Sequence, residues 1–260
     1  MSALITPQTG MIGHVWGMNL LKISALGLLA IPALAAPAAA APREAAPPAL
    51  VARYNFDGGA TAGKISDLSG KGTNLTVRGA DNGTVAINTE GAGRYAAFPV
   101  PCATTAPCAR AILEAPNSPD LNPGVRTFRW AASVRVTAAQ MKGKANIMQK
   151  GLAGAESVWK MQLTGKTGRA QCAMTGKGTT QAFTATSAKP IADGAWHKIV
   201  CERTATTLSV SVDGVPGTKV TIPATLSVDN TMPLRIGGPN FGASSDMYHG
   251  QLDDVYIQVG

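Results

Sequence analysis

Residues 126–137 alternate without a break. Phe128, Trp130, Ala132, Val134 and Val136 point one way, and Thr127, Arg129, Ala131, Ser133 and Arg135 point the other. A period of two places one set in a core and the other on an outer sheet face. The pattern recurs in shorter runs: Tyr54 with Phe56 in 51–57, and Trp159, Met161 and Leu163 in 158–163. Residues 191–214 read as a strand, a short turn, an alternating strand and a tight Asp213-Gly214 turn. Further short runs fall at 85–88, 95–100, 146–150, 169–174, 181–186, 218–222, 234–237 and 251–259. Residues 113–122, rich in Pro, Asn and Asp, are expected to be an irregular connection. No stretch after residue 50 keeps a helical period for three turns. Short strands punctuated by Gly, Pro, Asn and Asp predict an all-β fold, a two-sheet antiparallel jelly-roll sandwich.

The first forty residues carry a different pattern. Met18 to Lys22 form a short basic segment, residues 23–31 are apolar, Pro32 breaks the run, and small-x-small sites end at Ala35 and Ala40. This is the anatomy of a secretory signal peptide, with an apolar run too short to span a bilayer. Residues 1–17 contain no Lys or Arg, so Met18, with Met11 as the alternative, is the expected start. Residues 41–50 read as a Pro/Ala-rich tether and 51–260 as one domain. Without the leader the balance is 22 basic to 15 acidic residues. A surplus of that sign favours anionic glycans or surfaces, yet it forms no Lys/Arg block and no basic helix, which argues against nucleic acid. No later stretch is apolar enough to cross a membrane.

Export changes the reading of the four cysteines. In an oxidising compartment they suggest two disulfides, for which sequence alone permits three pairings. The pairing expected is Cys102 with Cys108, around a tight loop, and Cys172 with Cys201, between two strands. Their spacing is not that of paired C-x-x-C zinc ligands.

Within this pattern, Asp193, Gly194, Trp196 and His197, followed by Val212, Asp213 and Gly214, resemble the laminin-G-like, concanavalin A-like jelly-roll family. The order of the flanking pieces agrees: SDLSGKGTNLTV after the first strand, PLRIGG at 233–238, and Gly250, Leu252, Asp253, Asp254 and Val255 near the end. The resemblance implies a lectin-like sandwich over about residues 51–260, with QC172 and VC201 like the cysteines of secreted bacterial members. It also implies a structural calcium held by Asp67, the Gly72 carbonyl and Asp253. Asp253 shares the parity of Val255, Ile257 and Val259, so it is expected on the apolar face; there it must be hydrogen-bonded, paired or metal-bound. Hydrogen bonding to backbone N–H groups is the other reading of Asp253.

Catalytic chemistry is poorly supplied. Glucanase relatives use clustered carboxylates, whereas the glutamates here, at 44, 90, 114, 156 and 202, have no acidic neighbour within four positions. No G-x-S-x-G is present, and His197 reads as a structural histidine. Trp196 reads as a core anchor. Candidate ligand contacts are Arg129, Arg135, Lys160 and Gln162, on the polar faces of the two Trp-bearing strands, and Tyr248 and His249 before the last strand. The expectation is a secreted, non-catalytic binding module for carbohydrate or a cell-surface polymer. The alternatives are a protein-interaction domain that binds no sugar and, further off, a polysaccharide-active enzyme. Cleavage after Ala40 predicts an exported chain beginning at Ala41. N-terminal sequencing of secreted protein checks this, and a chain that retains residues before Met18 would refute it.

Overall fold

The computed structural model describes residues 48–102, 107–152, 156–242 and 244–260. The leader, most of the tether and Glu44 lie outside the described residues. Sixteen strands are present among the latter. In chain order they are β1 Ala49–Tyr54, β2 Lys64–Ile65, β3 Leu75–Ala80, β4 Ala86–Glu90, β5 Gly93–Ala97, β6 Arg110–Ala115, β7 Phe128–Thr137 and β8 Ala145–Lys150. They continue with β9 Val158–Thr164, β10 Arg169–Thr175, β11 Ala182–Pro190, β12 Asp193–Arg203, β13 Thr207–Val212, β14 Val215–Thr221, β15 Leu234–Ile236 and β16 Gln251–Val259.

These strands make two eight-stranded sheets. Sheet one runs β14-β13-β12-β7-β16-β5-β4, with β1 also paired to β16; sheet two runs β11-β10-β9-β8-β15-β6-β3-β2. The fold is the expected antiparallel jelly-roll sandwich. Its centre is aromatic: Phe128 and Trp130 reach in from β7 and meet Trp159 from β9. Trp130 stacks on Phe128 at 4.7 Å and sits 5.8 Å from Trp159. Met161, Leu163, Val134, Ile199 and Ile257 belong to the same core, all fully buried. Burial of each such side chain is worth about 1.5–3 kcal/mol. The Trp159 indole N–H donates to the Leu121 carbonyl at 3.1 Å, so the ring's polar edge is satisfied.

Residues 113–122 were expected to be irregular, but Leu113–Ala115 belong to β6. This strand lies between β3 and β15: Ala111, Leu113 and Ala115 face the core, and Ile112 is buried on the outer face between the half-buried Arg110 and Glu114. Ile112 on the outer face makes residues 111–113 one short apolar run, so the periodicity argument passes over the strand.

The cysteines pair as expected. Cys172 of β10 and Cys201 of β12 join the two sheets with Cα atoms 5.6 Å apart, and Cys102 joins Cys108. On the side of the inter-sheet bridge, β14 lies against β11. A Cβ on Gly217 would fall 2.4 Å from the Thr186 carbonyl oxygen, so only glycine allows that approach. The Asp213-Gly214 turn forms as read, with φ of 51° and 77°. Two cations are fully buried. Lys150 donates to the Asn122 side-chain oxygen and the Asn230 carbonyl, both at 2.7 Å, while Arg203 donates to the carbonyls of Gly124 and Leu226.

The Cys172–Cys201 bridge closes a separation of 29 residues, for which the loop-entropy relation gives about 3.5 kcal/mol. Replacing both by Ala is expected to lower unfolding free energy by that order in urea titrations. Replacing Cys102 and Cys108, separated by 6 residues, is expected to cost about 2.5 kcal/mol or less.

Candidate functional site

Because Trp130 and Trp159 face each other, the polar residues beside them face apart. Arg129 and Arg135 lie on the outer face of sheet one, and Lys160 and Gln162 on the outer face of sheet two. The four do not form one site, which corrects the grouping expected from sequence. On sheet two, Gln162 sits in a cross-strand row with Asn146, Gln171 and Thr186. Gln162 donates to Gln171 at 2.8 Å and Gln171 to Thr186 at 3.2 Å, while the oxygens of Asn146 and Gln162 are buried without partners. A bulge at Ile147 puts Asn146 and Gln149 on one face although they are three residues apart. No alternation rule finds that pair. Lys160 stands beside this row with its pKa lowered by burial and by Lys144.

Sheet one presents the more open surface. Trp196 is not in the core. It is half-buried on the outer face, directly opposite Arg135 on β7. Gly194, with φ of 87°, makes the bulge that leads into it: Gly194 and Ala195 together oppose Val136. The Arg135 guanidinium lies 4.6 Å from the Trp196 ring centre and 5.1 Å from that of Tyr95 on β5. The two rings meet edge to face at 5.7 Å. Arg135 also makes a two-pronged pair with Glu90 at the end of β4, at 2.9 and 2.8 Å, and its Nε donates to the Gln251 side chain. Those bonds hold the Glu90 carboxyl below the ordinary carboxylate range. Beside this group is an open depression of about 500 Å³ lined by Arg135, Thr137, Gln140, Gly194 and Gln251. Gln140 is fixed there by Thr137 and by the His249 carbonyl.

A signal for Trp196 was present in the sequence. Cys201 must face sheet two to reach Cys172, and Trp196 lies five residues earlier on the same strand. It therefore points the other way.

The remaining candidates are placed as follows. Tyr248 is a core residue and not a ligand contact: it packs edge-on against Phe98 at 5.6 Å, and its hydroxyl donates to the Gln251 carbonyl at 2.7 Å. His249 is held by the Pro99 carbonyl at 2.7 Å, with its pKa lowered by burial. Asp253 is on the outer face, not the apolar one. In β16, Asp254 and Val255 take the place of one partner residue, Ala132, and Asp254 turns left-handed at φ 44°. The bulge reverses the parity assumed for Asp253, while Leu252 and Val255 both remain in the core. Asp253 instead accepts the Asp254 N–H at 2.6 Å. Burial raises its pKa, with Asp254 and Asp57 adding to the shift.

The residues do not fit a calcium ion. Asp67 accepts the N–H groups of Arg53, Ser69 and Thr73 and the Ser69 hydroxyl, at 2.8–3.0 Å. Four donors fill a carboxylate's acceptor positions. No group of three His, Cys, Asp or Glu side chains gathers as metal ligands among the described residues.

His197 bridges two carboxylates, with Nδ1 2.7 Å from Asp213 and Nε2 3.0 Å from Asp193. Burial pulls its pKa down, but the bonds to Asp213 and Asp193 outweigh that and raise it. Asp193 is lowered by the Ala195 N–H and by His197. Asp213 is lowered too, because His197 and the Lys198 N–H overcome its burial. The hairpin turn and the start of β12 are tied together through this imidazole.

Residues 113–258, over half of the chain, match the concanavalin A-like lectin/glucanases superfamily, and the chain belongs to it. No curated protein matches. Among solved structures it is similar to domain 4 of AbnA, a GH43 extracellular arabinanase from Geobacillus stearothermophilus, in complex with arabinotriose. The TM-score is 0.61 at 17% identity, covering 82% of this chain and 93% of that one. It is also similar to the binding domain of Paraclostridial Mosquitocidal Protein 1, with a TM-score of 0.59 at 16% identity over 80% of this chain and 48% of the other. A third is a botulinum neurotoxin type C structure described as interacting with two ganglioside molecules, with a TM-score of 0.57 at 10% identity over 81% and 47%. The chain spans about half the length of the two toxin structures.

Two measurements test the electrostatics. The raised His197 pKa gives stability that is complete below the ordinary histidine value of 6.5 and above the lowered carboxylate values. It is lost as pH rises through the raised value. The melting-temperature deficit of His197→Gln is therefore expected to be larger at pH 5 than at pH 9. Asp253 has the opposite sign: its ionised form is disfavoured in the fold, so Asp253→Asn is expected to raise the melting temperature at pH 7 and to leave it unchanged below the ordinary aspartate value of 3.8.

Proposed function

We propose that this chain is a secreted, non-catalytic module that binds carbohydrate on the outer face of sheet one. The observation that carries the reading is the half-buried Trp196 beside Tyr95 and Arg135, next to an open depression lined by two glutamines and a threonine. An aromatic ring supplies apolar contact to the C–H face of a sugar, and neighbouring amides, a guanidinium and a hydroxyl meet its hydroxyl groups. The fold supports the reading, since the similar AbnA domain is described with arabinotriose. Two disulfides accord with export.

The engagement of three glutamates supports the non-catalytic reading. Glycoside cleavage needs two carboxyl groups flanking the scissile bond. Here Glu90, Glu114 and Glu202 are each ion-paired with arginine, to Arg135, Arg235 and Arg129 respectively. Binding to neutral polysaccharides, beginning with arabinan oligosaccharides, is expected in affinity gels and calorimetry, with no release of reducing ends. Trp196→Ala is expected to weaken that binding at least about tenfold while leaving the fold intact. Failure of native protein to bind any polysaccharide would overturn the assignment.

A further inference from the structure

Glu90 is the least protected member of the platform. It ends β4, an edge strand that pairs only with β5 and is exposed along most of its length, and its side chain is 51% exposed. Yet three donors converge on its carboxylate: both terminal guanidinium nitrogens of Arg135 at 2.9 and 2.8 Å, and the Trp196 indole nitrogen at 3.4 Å. The fork itself is held from the other side. The Arg135 ring contacts and the Nε bond to Gln251 fix the plane of the guanidinium independently of Glu90. A planar guanidinium held in this way, with an indole N–H beside it, is a receptor for a carboxylate. The carboxylate it holds belongs to the chain.

Resting on the carbohydrate-binding reading of this same face, we infer that Glu90 sets its ligand class. By filling the Arg135–Trp196 carboxylate receptor from within, it confines the native module to neutral sugars and excludes acidic ones such as uronates. An incoming uronate meets no free fork, and it meets the exposed charge of Glu90 as well. The general basic surplus of the chain would draw acidic polymers toward the surface, so a local device is needed to refuse them. A neutral sugar places no charge beside Glu90, and its hydroxyls can both donate to that carboxylate and accept from Gln251 and Thr137. Selectivity here comes from a repulsive group as well as from attractive ones.

Removing Glu90 should open the receptor. With polygalacturonate as probe at low ionic strength, Glu90→Ala is expected to bind at least about tenfold more tightly than the native chain, since a hydrogen-bonded charge pair is worth more than 1.4 kcal/mol. The gain should disappear in Glu90→Ala with Arg135→Ala, and fade as salt is added. Glu90→Gln keeps the side-chain volume while removing its charge. It should show a smaller gain of the same sign, and it carries the test if the alanine variant proves poorly folded. Native protein that binds polygalacturonate as tightly as Glu90→Ala overturns the inference, and so does a variant that gains nothing. A neutral arabinan titration run alongside keeps the two readings apart. Failure of native protein to bind any polysaccharide refutes the proposed function, whereas an unchanged acidic preference in Glu90→Ala refutes only the role of Glu90.

Discussion

The meeting of Trp130 and Trp159 between the sheets decides the direction of nearly everything else. Each ring comes from a strand near the middle of its sheet, and each fixes the parity of that strand. Once Trp130 points inward, Arg129 and Arg135 are committed to the opposite face. Cross-strand pairing then passes the commitment to β12 and β16, where Trp196, Glu202, Gln251 and Gln258 come up on the same outer side. The platform is a by-product of the core's alternation, translated across three strands.

The two outer faces treat their polar groups differently. On sheet one, charges are grouped in exposed or half-exposed pairs, Arg129 with Glu202, Arg135 with Glu90, and Lys198 with Asp254, which also meets Arg53. Apart from the two-pronged Arg135–Glu90 pair, such pairs contribute little to stability. Their consequence is chemical: they define where positive and negative edges lie. Sheet two also carries a charged group, Glu114 with Arg78 and Arg235, but around Gln162 uncharged amides are sunk into the sheet, and two buried oxygens go unanswered. That row costs stability. The open depression beside Arg135 makes the accessible face of sheet one the better recognition surface.

Most of the architecture was legible because alternation is a direct record of burial. The last strand was read with its observed limits and β7 within two residues, and the Asp213-Gly214 turn fell where expected. What failed has a common cause. Asp253, the Asn146–Gln149 pair and the approach to Trp196 each lie at a bulge, where one extra residue breaks the count. Bulges leave little trace in composition, apart from a glycine such as Gly194. Strand β6 was missed for another reason: Ile112, buried on the outer face, breaks the alternation of Ala111, Leu113 and Ala115. Trp196 was misjudged although the information existed: the disulfide and the strand's period together exclude it from the core. Its partners Tyr95, Glu90 and Gln251 lie on other strands, and only the sheet order brings them together.

Gly217 carries a consequence of another kind. A sandwich of open sheets ends in strands whose backbone groups are free to pair with another chain, and such edges invite aggregation. Here β14 and β11, the terminal strands on one side of the two sheets, are pressed together where Gly217 has no side chain, and the Thr218 hydroxyl accepts the Thr186 N–H at 2.8 Å. The close approach leaves less room for a foreign strand at either edge. A side chain at position 217 would run into the Thr186 carbonyl and prise the two edges apart.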